Sequence, residues 1–285
     1  MISDITLGQF FPGESQIHRL DPRTKIIMSV IFIVSVFLAS TPAAFAVLLL
    51  FTAIMIAVSK ISFKIILKGV KPIVIVLIFT AIINMFMTTG ASEPLVSFWI
   101  IKIYREGIIR AIFMALRVVI LIVGTSVFLT YTTSPISLTD GIESLLLPLK
   151  LIKVPVHLFA MMMTIALRFI PTLVEETEKI MNAQKSRGAD FSSGGLIKRA
   201  KALIPIIIPL FVSSFKRAEE LATAMECRCY RGDKNRTKLV KLSYKWRDLL
   251  FFTGVLAFLA GIIALRIYAR NPSETPFLKA FLYVI

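Results

Sequence analysis

Two arginines, Arg187 and Arg228, carry the clearest chemical signal in this chain. The residues before each repeat one pattern: Glu178, Ile180, Ala183 and Arg187 in one place, Glu219, Leu221, Ala224 and Arg228 in the other, offset by 41 throughout. At 3.6 residues per turn the aliphatic residue, the alanine and the arginine fall on one stripe. Each segment therefore predicts a helix with a small, apolar strip that ends in one guanidinium at its C-terminal tip. Two chemistries fit. An arginine at a helix end complements the macrodipole and can hydrogen-bond free carbonyls. A pair of exposed guanidinium forks also suits bidentate contact with carboxylates of a soluble partner. Repetition of both strip and tip favours the second.

Other chemistries lack their residues. No glycine-rich loop ending in Gly-Lys-Ser or Gly-Lys-Thr occurs, so a nucleotide must be bound elsewhere. His18 and His157 are the two histidines, and neither lies near Cys227 and Cys229, which excludes a metal site of ordinary spacing. The two cysteines stand two apart among charged residues, a poor setting for a structural disulfide. The apolar stretches hold no paired carboxylates for a proton relay and no nucleophile–base pair, which argues against an intramembrane enzyme. No cofactor is expected.

The elements that must position the arginines sit in a very apolar chain. Of its 285 residues, 56% are hydrophobic, and the mean hydropathy is +0.81. The excess comes in blocks, as in a polytopic all-α membrane protein, where about 20 apolar residues cross the bilayer. Spans are expected at 26–40, 43–59, 73–89 and 107–132, making an N-terminal membrane region of 1–133. Asp21-Pro22 is an N-cap followed by proline at the first helical position, and Pro42 breaks a 33-residue apolar run in two. A polar loop with Trp99 and Tyr104 separates the third and fourth spans. Residues 134–247 read as a cytoplasmic, interfacial domain. It holds a short helix near Leu138–Leu149 and two long ones near Val156–Arg187 and Leu196–Arg228. The final region, 248–285, holds a last span at Leu249–Ile267 and a tail, for about five transmembrane helices in all. Val154–Ile170 and Leu203–Phe215 are apolar enough to imitate spans. They carry His157 and Arg168, or Pro205 and Pro209 between basic clusters, and are placed at the cytoplasmic membrane face.

Charge sets the orientation. The chain holds 33 Lys and Arg against 17 Asp and Glu, a net charge of +16. Such an excess on a soluble protein would suggest nucleic acid. Here 26 of the basic residues fall in 1–25, 60–71 and 134–247, six fall in the opposite loops, and Arg117 lies mid-span. Positive segments stay cytoplasmic and face anionic lipid. The N-terminus and 134–247 should be cytoplasmic and the C-terminus external, in an inner or plasma membrane. Asp4 and Glu14, with no small-residue cleavage site after the first apolar run, argue against a cleaved signal.

Ser186-Arg187-Gly188 and Cys227-Arg228-Cys229 resemble the paired Ala-Arg-Gly-type signatures of the transmembrane T component of energy-coupling factor (ECF) transporters, the EcfT/CbiQ-like family. So do Leu20-Asp21-Pro22-Arg23-Thr24-Lys25, Arg168-Phe169-Ile170-Pro171 with Glu175-Glu176, Pro209-Leu210, Arg217 through Ala222, Ala224-Met225-Glu226 and Arg236-Thr237. The resemblance runs from about Gly8 to Ile267, with serine or cysteine in place of alanine and Cys229 in place of glycine. It implies a non-catalytic scaffold. Its two arginine-tipped helices would insert into two cytosolic ABC-type ATPases and contact a small membrane S component that carries the solute. The N-terminal stretch from Phe11 to His18 is closer to the T components shared among several S components, which points to vitamins.

Met161, Met162 and Met163, with Pro205 and Pro209, are then S-component contacts. A methionine run repacks for different partners, although methionine also fills cores. Pro171, Pro205 and Pro209 read as kinks or as hinges. Arg117 is a functional group inside a span or a snorkelling one. Lys60, Lys64, Lys68 and Lys71 form a stripe facing lipid. Two alternatives stand beside this reading. One is an ordinary ABC permease with its own path, faintly echoed by Asn182-Ala183-Gln184 and Gly188. The other is a dedicated T component for biotin or for cobalt or nickel.

Overall fold

The computed structural model describes residues 10–87, 96–98, 101–189, 191, 195–230, 232 and 242–270. Trp99, Arg236-Thr237 and the tail beyond 270 lie outside them. The chain is helical almost throughout. Short helix α1 (Pro22–Leu38) and α2 (Pro42–Ser59) are followed by α3 (Phe63–Val70), α4 (Val74–Met87) and α5 (Arg105–Thr125). Then come α6 (Pro135–Leu146), α7 (Val156–Ser186), α8 (Leu196–Cys227) and α9 (Trp246–Arg270). A small antiparallel hairpin, β1 (Val96–Phe98) paired with β2 (Ile101–Ile103), stands where a plain loop was expected.

Two units are compact in themselves, one within Ile142–Lys241 and the other within Gln9–Gly141 and Leu242–Ile285. In the second unit α1 is central: it packs on α5 and α9, and α4 lies along α5. Phe32, Leu48, Val127, Phe128 and Ile262 are fully buried there. Phe51 stacks on Phe258 with centroids 4.1 Å apart, and Phe32 meets Phe128 at 5.7 Å. Gly124 lets α5 touch α1, since a Cβ there would run into the Phe32 ring.

Proline and a capping side chain start the first two helices, at Asp21-Pro22 as the sequence predicts and at Thr41-Pro42 where a break was expected. Asp21 accepts from the Arg23 N–H at 2.9 Å, and Thr41 Oγ1 from the Ala44 N–H at 3.2 Å. A polar knot then joins chain segments far apart in sequence. The buried Asp248 carboxylate, at the start of α9, accepts from the backbone N–H of Asp21 (2.7 Å) and of Lys245 (2.8 Å). Lys25 is 1% exposed, and its Nζ donates to the carbonyls of Thr132 (2.8 Å) and His18 (3.2 Å). His18 is itself engaged at both ring nitrogens, by Ser15 Oγ at 2.6 Å and the Phe11 carbonyl at 2.9 Å.

Among the described residues, five helical segments are long and apolar enough to cross a membrane: Pro42–Ser59, Phe63–Met87, Arg105–Thr130, Val156–Ser186 and Trp246–Tyr268. The protein is an all-α, multi-pass membrane protein. These five overlap only partly with the expected set. Helix α1 has 17 residues, so its apolar run is short, whereas α7 gains length because its apolar half continues unbroken through Pro171 into a polar half.

Arg117 has a structural partner. Its Nη2 donates to the carbonyl of Ala39 at 2.7 Å, and its guanidinium sits 5.4 Å from the Phe45 ring centroid. Ala39 is the C-cap of α1, where carbonyls have no partner within the helix. A cation there satisfies a lone carbonyl and the negative end of the helix dipole.

Lys25 stands just before the expected span at 26–40, and burial pushes its pKa from 10.5 down to about 8, against the opposing pull of Asp248 and Asp21. Below pH 8 folded and unfolded chains both carry the proton. Between about 8 and 10.5 the unfolded chain binds more protons, so stability rises with pH across that window. Melting of the full chain in detergent should show this rise, and Lys25→Met should remove it. An equal rise in the variant would assign it to another group.

Candidate functional site

Both arginine-tipped helices form where the sequence places them, and they end in the same way. Arg187 is the C-cap of α7, with φ −88° and ψ 7°; Arg228 is the C-cap of α8, with φ −90° and ψ 15°. After Arg187, Gly188 turns left-handed at φ +88°. Its N–H donates to the Lys185 carbonyl at 2.9 Å, and the Ala189 N–H reaches back to Gln184 at 3.0 Å. After Arg228, Cys229 takes φ +56°, its N–H donates to Glu226 at 2.8 Å, and the Tyr230 N–H reaches Met225 at 3.0 Å. Both are Schellman caps, in which backbone N–H groups satisfy the last free carbonyls.

This geometry bears on one of the two uses of the arginines, the capping of their own helices. Because the backbone closes each helix, the side chains are not needed for it. Among the described residues neither guanidinium makes a hydrogen bond or ion pair, and Arg187, Arg228, Ala183 and Ala224 are all exposed. The exposed Ser186 hydroxyl donates back to the Asn182 carbonyl one turn earlier, at 3.1 Å. Cys227 and Cys229 are free, exposed thiols.

Further back, α7 and α8 meet through a polar clamp that sequence reasoning missed. Arg217 Nη2 donates to Glu176 Oε2 at 2.9 Å and its Nη1 to Thr172 Oγ1 at 3.3 Å. The Ser213 hydroxyl donates to the other oxygen of Glu176, and the Arg217 guanidinium lies 6.0 Å from the Phe169 ring centroid. A signal for it existed. Glu176 and Arg217 are 41 residues apart, the same offset as the tips. Each tip therefore lies 11 residues beyond the clamp, or about 16 Å at the helical rise.

The other expected contact residues are partly displayed. Met162 and Met163 are each 52% exposed, and Met161 is half-buried. Pro205 and Pro209 are exposed on α8, which continues through both. At the base of α7, His157 Nδ1 lies 3.0 Å from Glu143 Oε1, a polar pairing rather than a metal site.

The fold and the tips thus define a class: a helical membrane protein whose long, polar-ended helices present two unpaired cations. Comparison with known proteins is specific. The CbiQ family model, described as cobalt transport protein, matches residues 13–239. The energy-coupling factor transporter transmembrane protein EcfT of Clostridium kluyveri is 55% identical over 268 residues, covering 94% of this chain and 99% of that protein. The protein of the same name from Bacillus subtilis is 47% identical over 271 residues, covering 95% and 100%, and that from Lactococcus lactis 46% over 255 residues, covering 90% and 95%. The chain belongs to this family of energy-coupling factor transporter transmembrane components.

The two caps differ in strain. A residue with a Cβ in the left-handed region costs roughly 1 kcal/mol that glycine does not. Space is open around Gly188, so the difference is one of backbone conformation rather than contact. Cys229→Gly should raise the stability of the last turn of α8 by about 1 kcal/mol, and Gly188→Ala should lower that of α7 by a similar amount. Amide hydrogen exchange at the two helix ends measures both. Opposite signs would show that the left-handed turns are not held in solution.

Proposed function

We propose that this chain is the non-catalytic coupling subunit of an ECF-type importer, set between two cytosolic ABC-type ATPases and a small membrane S component that binds the solute. The observation that carries the reading is the pair of exposed arginines on backbone-capped helix ends, spaced alike from one clamp. Arg187 and Arg228 each enter an acidic-rimmed groove of one ATPase, flanked by Ser186 and Gly188 or by Cys227 and Cys229. Met161, Met162 and Met163, with Pro205 and Pro209, contact the S component. The solute class is a vitamin, in keeping with the shared-type N-terminal stretch from Phe11 to His18. The name of the matching family model, a cobalt transport protein, favours a second reading in which the chain serves a metal importer alone. Mass spectrometry of the S components that co-purify separates the two.

In this reading the N-terminus and 134–247 face the cytoplasm and the C-terminus faces outward. In a background lacking Cys227 and Cys229, a membrane-impermeant thiol reagent on intact cells should label Ser273→Cys and spare Ser192→Cys. The reverse pattern would invert the topology and remove the tips from any cytosolic partner.

The arginines themselves provide the main test. Removing one partner of a desolvated charge pair costs about 3–5 kcal/mol, so Arg187→Glu or Arg228→Glu should weaken ATPase binding at least roughly a hundredfold. The remaining tip keeps some tethering. The double variant should insert in the membrane, elute normally and bring down no ATPase. Lysine at both positions should restore binding in part, since it keeps the charge and loses the fork. Stoichiometric ATPase with the double glutamate variant would refute the coupling role of the tips.

A further inference from the structure

Helix α3 presents three faces. Ile66 is 4% exposed, and a Cβ on Gly69 would meet the Tyr131 hydroxyl, so one face is held against the core of its unit. Lys64, Lys68 and Lys71 recur at i, i+4 and i+7 and form a row along a second face, with Lys71 as the C-cap. Phe63 and Leu67, one turn apart, form an apolar ridge beside that row and are 65% and 53% exposed. The three lysines are exposed, and among the described residues none of their side chains makes a hydrogen bond or ion pair. No aspartate or glutamate stands between Asp21 and Glu93 in the sequence, so the row has no acid near it along the chain.

Length separates α3 from the crossing that follows it. Phe63–Met87 is one segment apolar enough to span, and its 25 residues would extend about 37 Å against a hydrocarbon core of about 30 Å. The lysines all fall before Pro72, and no charged residue stands from Pro72 to Met87. Drawing three ammonium groups into hydrocarbon is costly. Leaving them at headgroup depth avoids that cost and lets the uncharged run cross. The 3-10 turn Lys71–Ile73, with Pro72 inside it, marks the junction. An exposed apolar ridge beside a lysine row is the pattern of an interfacial helix, in which the ridge enters the acyl layer and the ammonium groups rise to the headgroups. The row sits where the adjoining run enters the bilayer, so the anions within its reach are lipid phosphates.

We propose that α3 is an interfacial anchor in which Lys64, Lys68 and Lys71 bind the headgroup phosphates of anionic phospholipids while Phe63 and Leu67 enter the acyl layer. The anchor fixes the depth at which the crossing helix begins, at Pro72 rather than at Phe63.

Quenching of a single tryptophan by brominated lipids measures which lipid lies beside it. The full chain carries Trp99→Phe, Trp246→Phe and the reporter Phe63→Trp, which keeps an aromatic ring on the ridge. It is placed in vesicles of phosphatidylcholine and phosphatidylglycerol with one or the other brominated in its acyl chains. A lysine near an anionic surface contributes about fivefold in affinity, so phosphatidylglycerol should be preferred at this position by at least about fivefold. Lys64→Gln, Lys68→Gln and Lys71→Gln together should bring the ratio near one. Arginine at the same three positions should retain the preference, which separates loss of charge from loss of fold. A reporter at Phe79→Trp, 11 residues beyond Lys68, should show no preference, which controls for general attraction to a basic protein. Equal quenching by both lipids at position 63 would assign the lysines to an acidic protein partner and overturn the proposal. So would an undiminished preference in the glutamine variant, equal loss in the glutamine and arginine variants, or the same preference at position 79.

Discussion

The last carbonyls of a helix have no partner within it, and in an apolar setting water cannot supply one. This protein meets that constraint in two ways, and the difference separates structure from function. In the larger unit, long cationic side chains do the work. Arg117 reaches the Ala39 carbonyl at the end of α1, and Lys25 gathers the carbonyls of His18 and Thr132. Those cations are committed to the fold. At the ends of α7 and α8 the backbone closes itself through left-handed turns at Gly188 and Cys229. Arg187 and Arg228 are thereby released, and a released guanidinium can serve a partner.

The clamp gives those tips a common reference. Thr172, Glu176, Ser213 and Arg217 bring α7 and α8 together, and an arm of 11 residues runs from it to each tip. Turning an arm of about 16 Å by about 10° moves its tip by about 3 Å, so a modest change at the clamp is readily felt at the tips. The ion pair is partly solvated, with side chains 34% and 23% exposed. Such pairs contribute at most about 1 kcal/mol. The contact is thus specific enough to fix a register and weak enough to yield to a motor that spends ATP, as the proposed coupling role requires.

Much of this could be read from the residues because the signals are local. Asp21-Pro22 names a helix start, Pro42 marks a break between two spans, and the repeated strips name α7 and α8 and their ends. Readings that depended on distant pairs were out of reach. Asp248 meets Asp21 across 227 residues, and no spacing rule connects them. Arg117 stood equally well as a functional or a snorkelling residue because its partner is a backbone carbonyl 78 residues away, which no sequence pattern marks. Cys229 stands where left-handed caps favour glycine. The turn forms all the same: two backbone hydrogen bonds and an exposed site offset a strain of roughly 1 kcal/mol. The division into membrane spans was hardest, because α7 joins an apolar half to a polar half and composition alone cannot say where lipid ends.

The 41-residue repeat also explains why the clamp has the residues it does. Where two similar helices cross with matching registers, equivalent positions meet near the crossing, as they do about any two-fold axis. Identical charged residues would then repel one another. Here the repeat is broken at that point: Glu175-Glu176 on α7 is matched by Lys216-Arg217 on α8, and the paired positions carry opposite charge. Beyond the clamp identity returns at Glu178 and Glu219, Ala183 and Ala224, Arg187 and Arg228. Complementary charge at the crossing with like charge at the tips is what two equal arms need if they are to hold together and still offer the same cation twice. A single ancestral helix, duplicated unchanged, would satisfy the tips and fail at the crossing.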